Sequence, residues 1–464
     1  MKGKYLLVVL FVCVVGRVVS QSFVIHDTLV SSPDAQIGDI EIDPYHKRIC
    51  WQSITDDKLW VCNLDTVTWG LTVPDGKESL IDSLLVPLKN SHNGGEWGFD
   101  QSHTFLVYNK EINRKRFVAV ANETGQTWTL LTLTDSPHRM NPHASRNPSD
   151  SVAAIFYIRS PFSVNTKFKF LDHPDVEHSV TCFKDTHWFD EDQLLTGILI
   201  NHQVGIFDPV HPATPVQLTN DTAVHFSQPY MWRAPEHGNA RMFFARAGYD
   251  TINVYKETVP NSNNFGLYLT FKSPSPDANY QTFASPEPVV YQGQSYISFM
   301  VSSSPAETSY QPAQIWVVKV DSLQPVFRMV SDTAIGIRTD PETLGTNEKL
   351  LVFYTEVIGP YSNEPVFRLH QCETGFGQGM ITGVDEQPDL VKNHFQVYPN
   401  PFTSHINPKN LGSDEQFMLA DLTGKTIWAG SHIENTDFSE LSAGVYFLKI
   451  ISRKYSETMQ LIKL

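Results

Sequence analysis

Between residues 40 and 356 one pattern keeps returning: a short extended piece, a polar turn, then four to six apolar or alternating residues. It reads "IEIDPYHKRICWQS" (40–53), "WGFDQSHTFLVYNK" (97–110), "HASRNPSDSVAAIFYIR" (143–159), "HWFDEDQLLTGILI" (187–200) and "YMWRAPEHGNARMFFAR" (230–246). It continues in "FASPEPVVYQGQSYISFMV" (283–301) and "IRTDPETLGTNEKLLVFYTE" (337–356). With Pro44, Asp100, Pro148, Asp190, Pro235, Pro286 and Pro341 taken as turn anchors, the steps are 56, 48, 42, 45, 51 and 55 residues. Each unit goes on to a third strand that often ends in Asp, as in "KLWVCNLD" and "HQVGIFD", and a fourth such as "TPVQLT" or "PVFRMV". The alternation has period two, and Gly, Pro, Asn and Asp punctuate it. No amphipathic helix is evident before residue 385.

A lone four-stranded sheet cannot bury both faces. Twisted sheets packed face to face around an axis can, and they leave only short edges. Four strands in about fifty residues, repeated, is therefore the arithmetic of an all-β ring. The expectation is a seven-bladed β-propeller over residues 21–385, or a six-bladed one if the irregular stretch 247–282 adds no blade. "SFVIHDTLV" (22–30) is expected to close the ring by pairing into the last unit. A stack of β-sandwiches is the competing arrangement, and the single, fairly even period weighs against it.

The chain opens with Lys2 and Lys4, an apolar run from Tyr5 to Gly16, and "RVVSQS". This predicts a secretory signal peptide over residues 1–20, cut after Ser20. Arg17 interrupts a run already too short to span a bilayer, so no membrane span is expected. Net charge is −15, and loss of the leader's three basic residues, Lys2, Lys4 and Arg17, leaves −18. So acidic a surface argues against nucleic acid and anionic membrane as partners. Of the cysteines outside the leader, Cys50 and Cys62 flank the turn "ITDDK" and could face each other as a disulfide; free buried thiols are the alternative. No cysteine spacing suggests zinc. No metal and no cofactor is expected.

Residues 386–394 read as part of a Gly-, Asp- and Gln-rich linker, and residues 395–464 form a separate small β pattern, expected to be a β-sandwich. It begins with "HFQVYPNPF", where Pro399 and Pro401 fix φ and withhold donors. Tyr398, Pro399, Asn400 and Pro401, then Asp421 and Gly424, then Gly444, Val445, Tyr446 and Phe447, then Lys463 near the end, together resemble the type IX secretion system C-terminal sorting domain. The resemblance implies a route through the periplasm to the outer membrane of a Gram-negative cell. Its partners would be the secretion translocon and a tail-processing peptidase, and the product would be released or fixed at the cell surface. The repeat units are similar to those of TolB-like propellers, best seen in "HQVGIFDPVHPATPVQLTND" (202–221). That likeness concerns fold and implies no activity.

The connections that should enter each innermost strand read "SHNGGEWG" (91–98), "DSPHRMNPH" (135–143), "DTHW" (185–188) and "VHFSQPYMWR" (224–233). A ring would bring them to one face. They offer His92, Trp97, His138, Arg139, His143, His187, Trp188, His225, Tyr230, Trp232 and Arg233 as ligand-binding candidates, with Glu96 beside them. Aromatic faces stack on sugars or peptide side chains, and Arg grips carboxylates. Nucleophile-elbow and phosphate-loop motifs are absent, so catalytic residues stay unknown. The expectation is a binding module for an extracellular glycan or protein. The alternative is a glycan-processing enzyme, for which carboxylates facing one another across the axial funnel would speak. Glu236, Glu287 and Glu342, in "APE", "SPE" and "DPE", read as turn-formers at equivalent positions that need not converge.

Overall fold

The computed structural model describes residues 25–88, 94–125, 128–130, 140–158, 165–181, 183–211, 214–303, 311–332, 336–359, 365–377, 396–398, 402–409, 416–421, 426–451 and 456–464. The leader, His92, His138, Arg139, Cys182, the linker, Pro399, Asn400, Pro401 and Gly424 lie outside the described residues. The chain divides into two compact units, Met1–Gln378 and Gly379–Leu464.

Among the described residues, the first unit contains seven four-stranded antiparallel sheets. Their first strands are Ile37–Asp43, Glu96–Phe99, Met140–Ala144, Phe183–Phe189, Phe226–Ala234, Thr282–Tyr291 and Ile337–Gly345. Each of these strands packs beside the first strand of the next sheet, and the seventh returns to the first, so they line a closed, propeller-type ring. In six sheets the strands pair in chain order; the stretch 247–282 is regular, supplying Thr251–Glu257 and Phe265–Lys272 to the fifth. Several outermost strands are only two to four residues long, for example Val216–Gln217 and His178–Val180, which leaves little open edge to template further pairing.

The seventh sheet borrows its outer strand from the other end of the ring. His26–Leu29 pairs antiparallel with Val366–Glu373, in the register His26 to Glu373. A buried polar latch sits on this seam. Asp27 accepts from the Asp332 N–H at 2.8 Å, from the Tyr354 hydroxyl at 2.7 Å and from His370 Nδ1 at 2.8 Å. His370 Nε2 meets Glu356 Oε2 at 3.1 Å. Burial opposes charging of this imidazole, but its hydrogen bonds to the two carboxylates win and raise its pKa to about 9.

The apolar residues segregate between neighbours. One core joins each consecutive pair of sheets: Trp97, Leu106 and Tyr108 with Cys50 and Leu59, and Phe283, Phe299 and Trp316 with Phe244 and Phe271. The core of Ile37, Ile42 and Trp51 with Leu344, Phe353 and Leu369 joins first sheet to seventh. Cys50 and Cys62 fall into two of these cores, not opposite each other. Cys50 faces Val61 and Cys62 faces Ile49 across the hairpin, one residue out of register, so side chains leave opposite faces. Both are free buried thiols, which corrects the expected disulfide.

Two of the seven assumed turn anchors are also corrected. Pro286 and Pro341 lie inside the first strands of their sheets. The real turn of the sixth sheet is Gln292-Gly293, both with positive φ.

In the second unit, Gln416–Asp421, Thr426–Gly430, Gly444–Ile451 and Ser456–Lys463 form a four-stranded antiparallel sheet, and Gln396–Tyr398 pairs with Asn407–Lys409. Tyr446, Leu448 and Ile450 alternate inward onto Phe402, Phe417, Leu419 and Phe438, while Val445 and Phe447 take the other face. The Tyr446 hydroxyl donates to Ser442 O at 2.8 Å. Lys463 is buried along its stem, its Nζ bonded to Leu464 O at 2.8 Å.

Breaking the seam should loosen the whole ring. Asp27→Ala leaves a hydroxyl, an amide and His370 short of an acceptor and is expected to cost about 3 kcal/mol at pH 7. The raised His370 pKa stabilises the fold fully below about pH 6.5 and ceases to as pH rises through about 9. The gap between the thermal melts of the two proteins should therefore narrow at higher pH, leaving the part due to the Tyr354 hydroxyl and the Asp332 amide; a gap unchanged between pH 7 and pH 10 would contradict the latch.

Candidate functional site

Six of the seven first strands carry a β-bulge at the same place. At each bulge one residue adopts a left-handed backbone: Asp39, Asn141, Asp185, Gln228, Ser285 and Asp340, with φ of 47°, 48°, 53°, 47°, 43° and 57°. Apart from Gly, only Asn and Asp tolerate that region at all readily, so its use at six non-glycine residues is a built feature. Two residues on stand Glu41, His143, His187, Tyr230, Glu287 and Glu342; in the second sheet the matching triplet is Gly94-Gly95-Glu96.

Three of these bulges bind neighbouring sheets together around the axis. Asp340 Oδ2 accepts from the Ile40 N–H at 2.9 Å, and Asp185 Oδ2 from the Gln228 N–H at 2.5 Å, each on the next sheet. Asp39 Oδ2 accepts from the Gly94 N–H in the same sense. A Cβ at Gly94 would sit 2.5 Å from that oxygen, which is why glycine stands there.

The acids at the bulges and two positions beyond them interact with one another electrostatically. Asp39, Glu41, Glu96, Glu287, Asp340 and Glu342 repel mutually. Burial, reinforced by Glu96, lifts the Asp39 pKa to about 7. Burial also lifts Glu287 to about 7 and pushes Glu41, Asp340 and Glu342 well up. Glu96 goes the other way. Burial is the largest single influence and disfavours its charge, but the charge and hydrogen bond of His143, with Arg146 and a hydrogen bond to Glu41, together outweigh it and hold the pKa at about 2. His143 Nδ1 lies 3.5 Å from Glu96 Oε1, and Arg146 Nη2 lies 3.2 Å from Glu41 Oε2. The Tyr230 hydroxyl meets Glu287 Oε1 at 3.3 Å, and its ring stacks on His187 at 3.7 Å.

Beside this cluster, over the third to fifth sheets, opens a cavity of about 800 Å³. His143, His187 and His225, of the sequence candidates, line it. Asn141, Lys184, Asp185, His202, Gln228, Arg246 and Tyr249 join them. His202 and His225 stack at 4.2 Å with rings within 5° of parallel. Burial pulls the His187 pKa down against the pull of Asp185, 3.8 Å away.

The remaining described candidates do not line the cavity. Trp97 and Trp232 are core residues whose Nε1 atoms bond Glu41 O at 3.1 Å and Ser295 Oγ at 2.9 Å. Trp188 stacks on Phe156, and Tyr230 lies under His187. Arg233 is paired with Asp192 at 2.5 Å, beside the hairpin that ends its strand. Glu236 sits in the turn Pro235–His237 and is not equivalent to Glu287 and Glu342, which do converge with the other acids. Among the described residues, no group of three or more His, Cys, Asp or Glu is placed to hold a metal ion, and no helix is long and apolar enough to cross a membrane.

Comparison with known proteins decides the second unit. Residues 396–464 match the family described as the secretion system C-terminal sorting domain. The tail is a type IX secretion sorting domain. The protein is therefore exported to the cell surface or secreted. The sorting domain covers the β-sheet built on Gly444–Ile451 and Ser456–Lys463. No curated protein matches the chain. Among solved structures, the chain is similar to the β-propeller domain of Cps50 (Swd1) from Myceliophteria thermophila, at 9% identity and a TM-score of 0.47, covering 75% of this chain and 99% of that one. It is also similar to a subtype N11 neuraminidase-like protein of A/flat-faced bat/Peru/033/2010, at 10% identity and 0.38, covering 78% and 92%. A prolyl endopeptidase matches at 11% and 0.45, covering 90% and 55%. At such scores no activity carries over to this chain.

The acid cluster sets a pH dependence. An acid whose pKa is raised on folding takes up protons as the chain folds, so Glu287 and Asp39 stabilise less as pH climbs from about 4 to about 7. Glu96, with a lowered pKa, stabilises above its ordinary value and loses this as pH falls toward 2. Stability should peak near pH 5. Glu287→Gln should raise the melting temperature by a few degrees at pH 8 and hardly change it at pH 4.5. Equal effects at both pH values would contradict the assignment.

Proposed function

We propose that the first unit is a seven-bladed β-propeller that works outside the cell as a binding module, with the cavity over blades three to five as its ligand site. The observation that carries this is the lining. Asn141 Oδ1 and Gln228 Oε1 are buried without a hydrogen-bond partner in a cavity large enough for a ligand. Unsatisfied buried acceptors are costly and call for an occupant with donors. The ring's relation to the TolB-like propellers is part of this reading, supported by the Asp-ended third strand and short fourth strand of residues 202–221. So is a small β-sandwich for the tail, which translocon and peptidase would handle before the ring is released or fixed at the surface.

A glycan and peptide array probed with the full-length protein tests the binding site. Binding is expected, and the double variant Tyr249→Ala/His225→Ala should weaken it at least tenfold. Undiminished binding by that variant would move the site elsewhere. Export is tested separately. A chain lacking residues 396–464 should accumulate in the periplasm, and its normal appearance at the surface would refute a sorting role for the tail.

A hydrolytic reading has one observation in its favour: Glu96 is held ionised while burial holds Glu287 protonated toward neutral pH. Opposite charge states in one carboxylate cluster suit an acid and a base. Both carboxylates, however, already have partners in His143 and Tyr230, and neither lines the cavity. Turnover of aryl glycosides, abolished in Glu287→Gln, would favour hydrolysis over binding alone.

A further inference from the structure

The cavity's charge runs against that of the chain. The protein carries −15 overall, yet Lys184 and Arg246 both line this cavity, and Asp185 is the one carboxylate among its described lining residues. That carboxylate is occupied, by the Gln228 N–H at 2.5 Å and by His187 at 3.8 Å. Arg246 is fixed in place, donating from Nε to Ser227 Oγ at 3.1 Å and from Nη1 to Phe283 O at 2.8 Å. Its charge is therefore held at the cavity wall without having to be ordered on binding. Lys184 makes no ion pair among the described residues, so its ammonium is available to a ligand. A cationic recess on an acidic body concentrates anions at that spot.

Three further features narrow the anion. Asn141 Oδ1 and Gln228 Oε1 want hydrogen-bond donors, which a bare inorganic anion lacks and a hydroxyl supplies. Tyr249 is 55% exposed at the rim, with the Arg246 guanidinium over its ring at 5.5 Å, and an exposed aromatic ring is a surface on which a sugar stacks. A volume of about 800 Å³ exceeds one sugar residue and suits a short oligosaccharide. An acidic peptide would also bring N–H donors to the orphaned acceptors, but no hydroxylated ring to lie against Tyr249.

Building on the binding-module reading, we propose that the cavity takes an acidic saccharide. Its anionic group lies toward Lys184 and Arg246, its hydroxyls toward Asn141 and Gln228, and one ring face against Tyr249. The site would thus select by charge as well as by shape, and neutral sugars of the same size would bind more weakly.

Calorimetric titration of the full-length protein tests this with a defined panel: trigalacturonic acid, trimannuronic acid, 3′-sialyllactose and a heparin tetrasaccharide. Neutral galactotriose and hexaglutamate serve as the opposed controls. At least one acidic saccharide should bind ten times or more tightly than galactotriose and hexaglutamate. Lys184→Gln should remove most of that preference, while Asn141→Ala should weaken acidic and neutral sugars alike. Circular dichroism melts check that each variant is folded, and Lys184→Arg, which keeps the charge, should retain the preference. Equal binding of acidic and neutral sugars, or a preference untouched by Lys184→Gln, would overturn the proposal while leaving the binding site intact. Stronger binding of hexaglutamate would replace saccharide by peptide. No binding by any of the four acidic sugars overturns it as well, and array ligands lost in Tyr249→Ala/His225→Ala would then show that the cavity binds something else.

Discussion

A strand that lines the axis of a ring must do two incompatible things. It has to pair regularly with the second strand of its own sheet, and it has to turn polar groups toward its neighbours across a narrow centre. The bulge resolves this. One extra residue in the left-handed region lets the strand bend without breaking its ladder on either side, as where Thr339 pairs with Thr355 and Glu342 with Phe353. The bulge residue's side chain then reaches the amide of the next sheet, as Asp340 does to Ile40 and Asp185 to Gln228. Where the bulge residue is an aspartate, at Asp39, Asp185 and Asp340, this geometry supplies a stitch between sheets, and the residue two positions on becomes a lining group. The bulge-following acids Glu41, Glu287 and Glu342, and His143 and His187 of the cavity, are consequences of this one backbone device.

The division of that axis into two electrostatic halves follows from what occupies the position after each bulge. Sheets one, two, six and seven place Glu41, Glu96, Glu287 and Glu342 there, and sheets three, four and five place His143, His187 and Tyr230. Carboxylates crowded in a partly dehydrated space cannot all remain ionised, so several hold protons at pH values where free acids would not. Arg146 and His143 are the cations that reach in among them, and the charge they supply is spent on Glu41 and Glu96. On the other side, His187, His202, His225 and Lys184 share a lining with a single carboxylate, Asp185. The acidic half is thus largely satisfied by internal partners, whereas the basic half faces open volume with acceptors unfilled.

Much of the scaffold was legible in the sequence. The period near fifty residues, the third strands ending in Asp and the closing role of residues 22–30 all rest on alternation and turn chemistry, which are local and survive in a single sequence. The tail was legible for a different reason, since its four separated motifs occur in fixed order at the chain end. The site was harder. The anchors chosen at Pro286 and Pro341 were bulge prolines, and aligning the units on them hid the true repeat. Aligned instead on the bulge, the triplets read "DIE", "GGE", "NPH", "DTH", "QPY", "SPE" and "DPE", and the convergence of Glu287 with Glu342, and of His143 with His187, becomes visible. Cys50 and Cys62 failed for a related reason: a one-residue offset in register, invisible in spacing about a turn, sends them into different cores. Lys184, Arg246 and Tyr249 carry no pattern of their own. They reach the cavity through the pairing of neighbouring strands and through a loop, which only tertiary structure specifies.

Ring closure constrains when this architecture can exist. The seam joins His26–Leu29 to Val366–Glu373, so more than three hundred residues must be in place before the last sheet is complete. Pairing at such separation is disfavoured entropically until the intervening sheets have packed, which makes the seam a late event. The strand it needs begins six residues beyond the expected signal-peptide cleavage site, close to where the leader would hold the chain at the membrane. Until that strand docks, Asp27 is missing from His370 and Tyr354, and the edge of Val366–Glu373 stays open to any other extended chain. A polar latch suits this position better than further apolar surface would. An unpaired Asp27 remains soluble while waiting, and its three simultaneous hydrogen bonds specify one register. A hydrophobic seam of the same area would close in several registers, and a slip of one residue would turn every side chain of the closing strand to the wrong face.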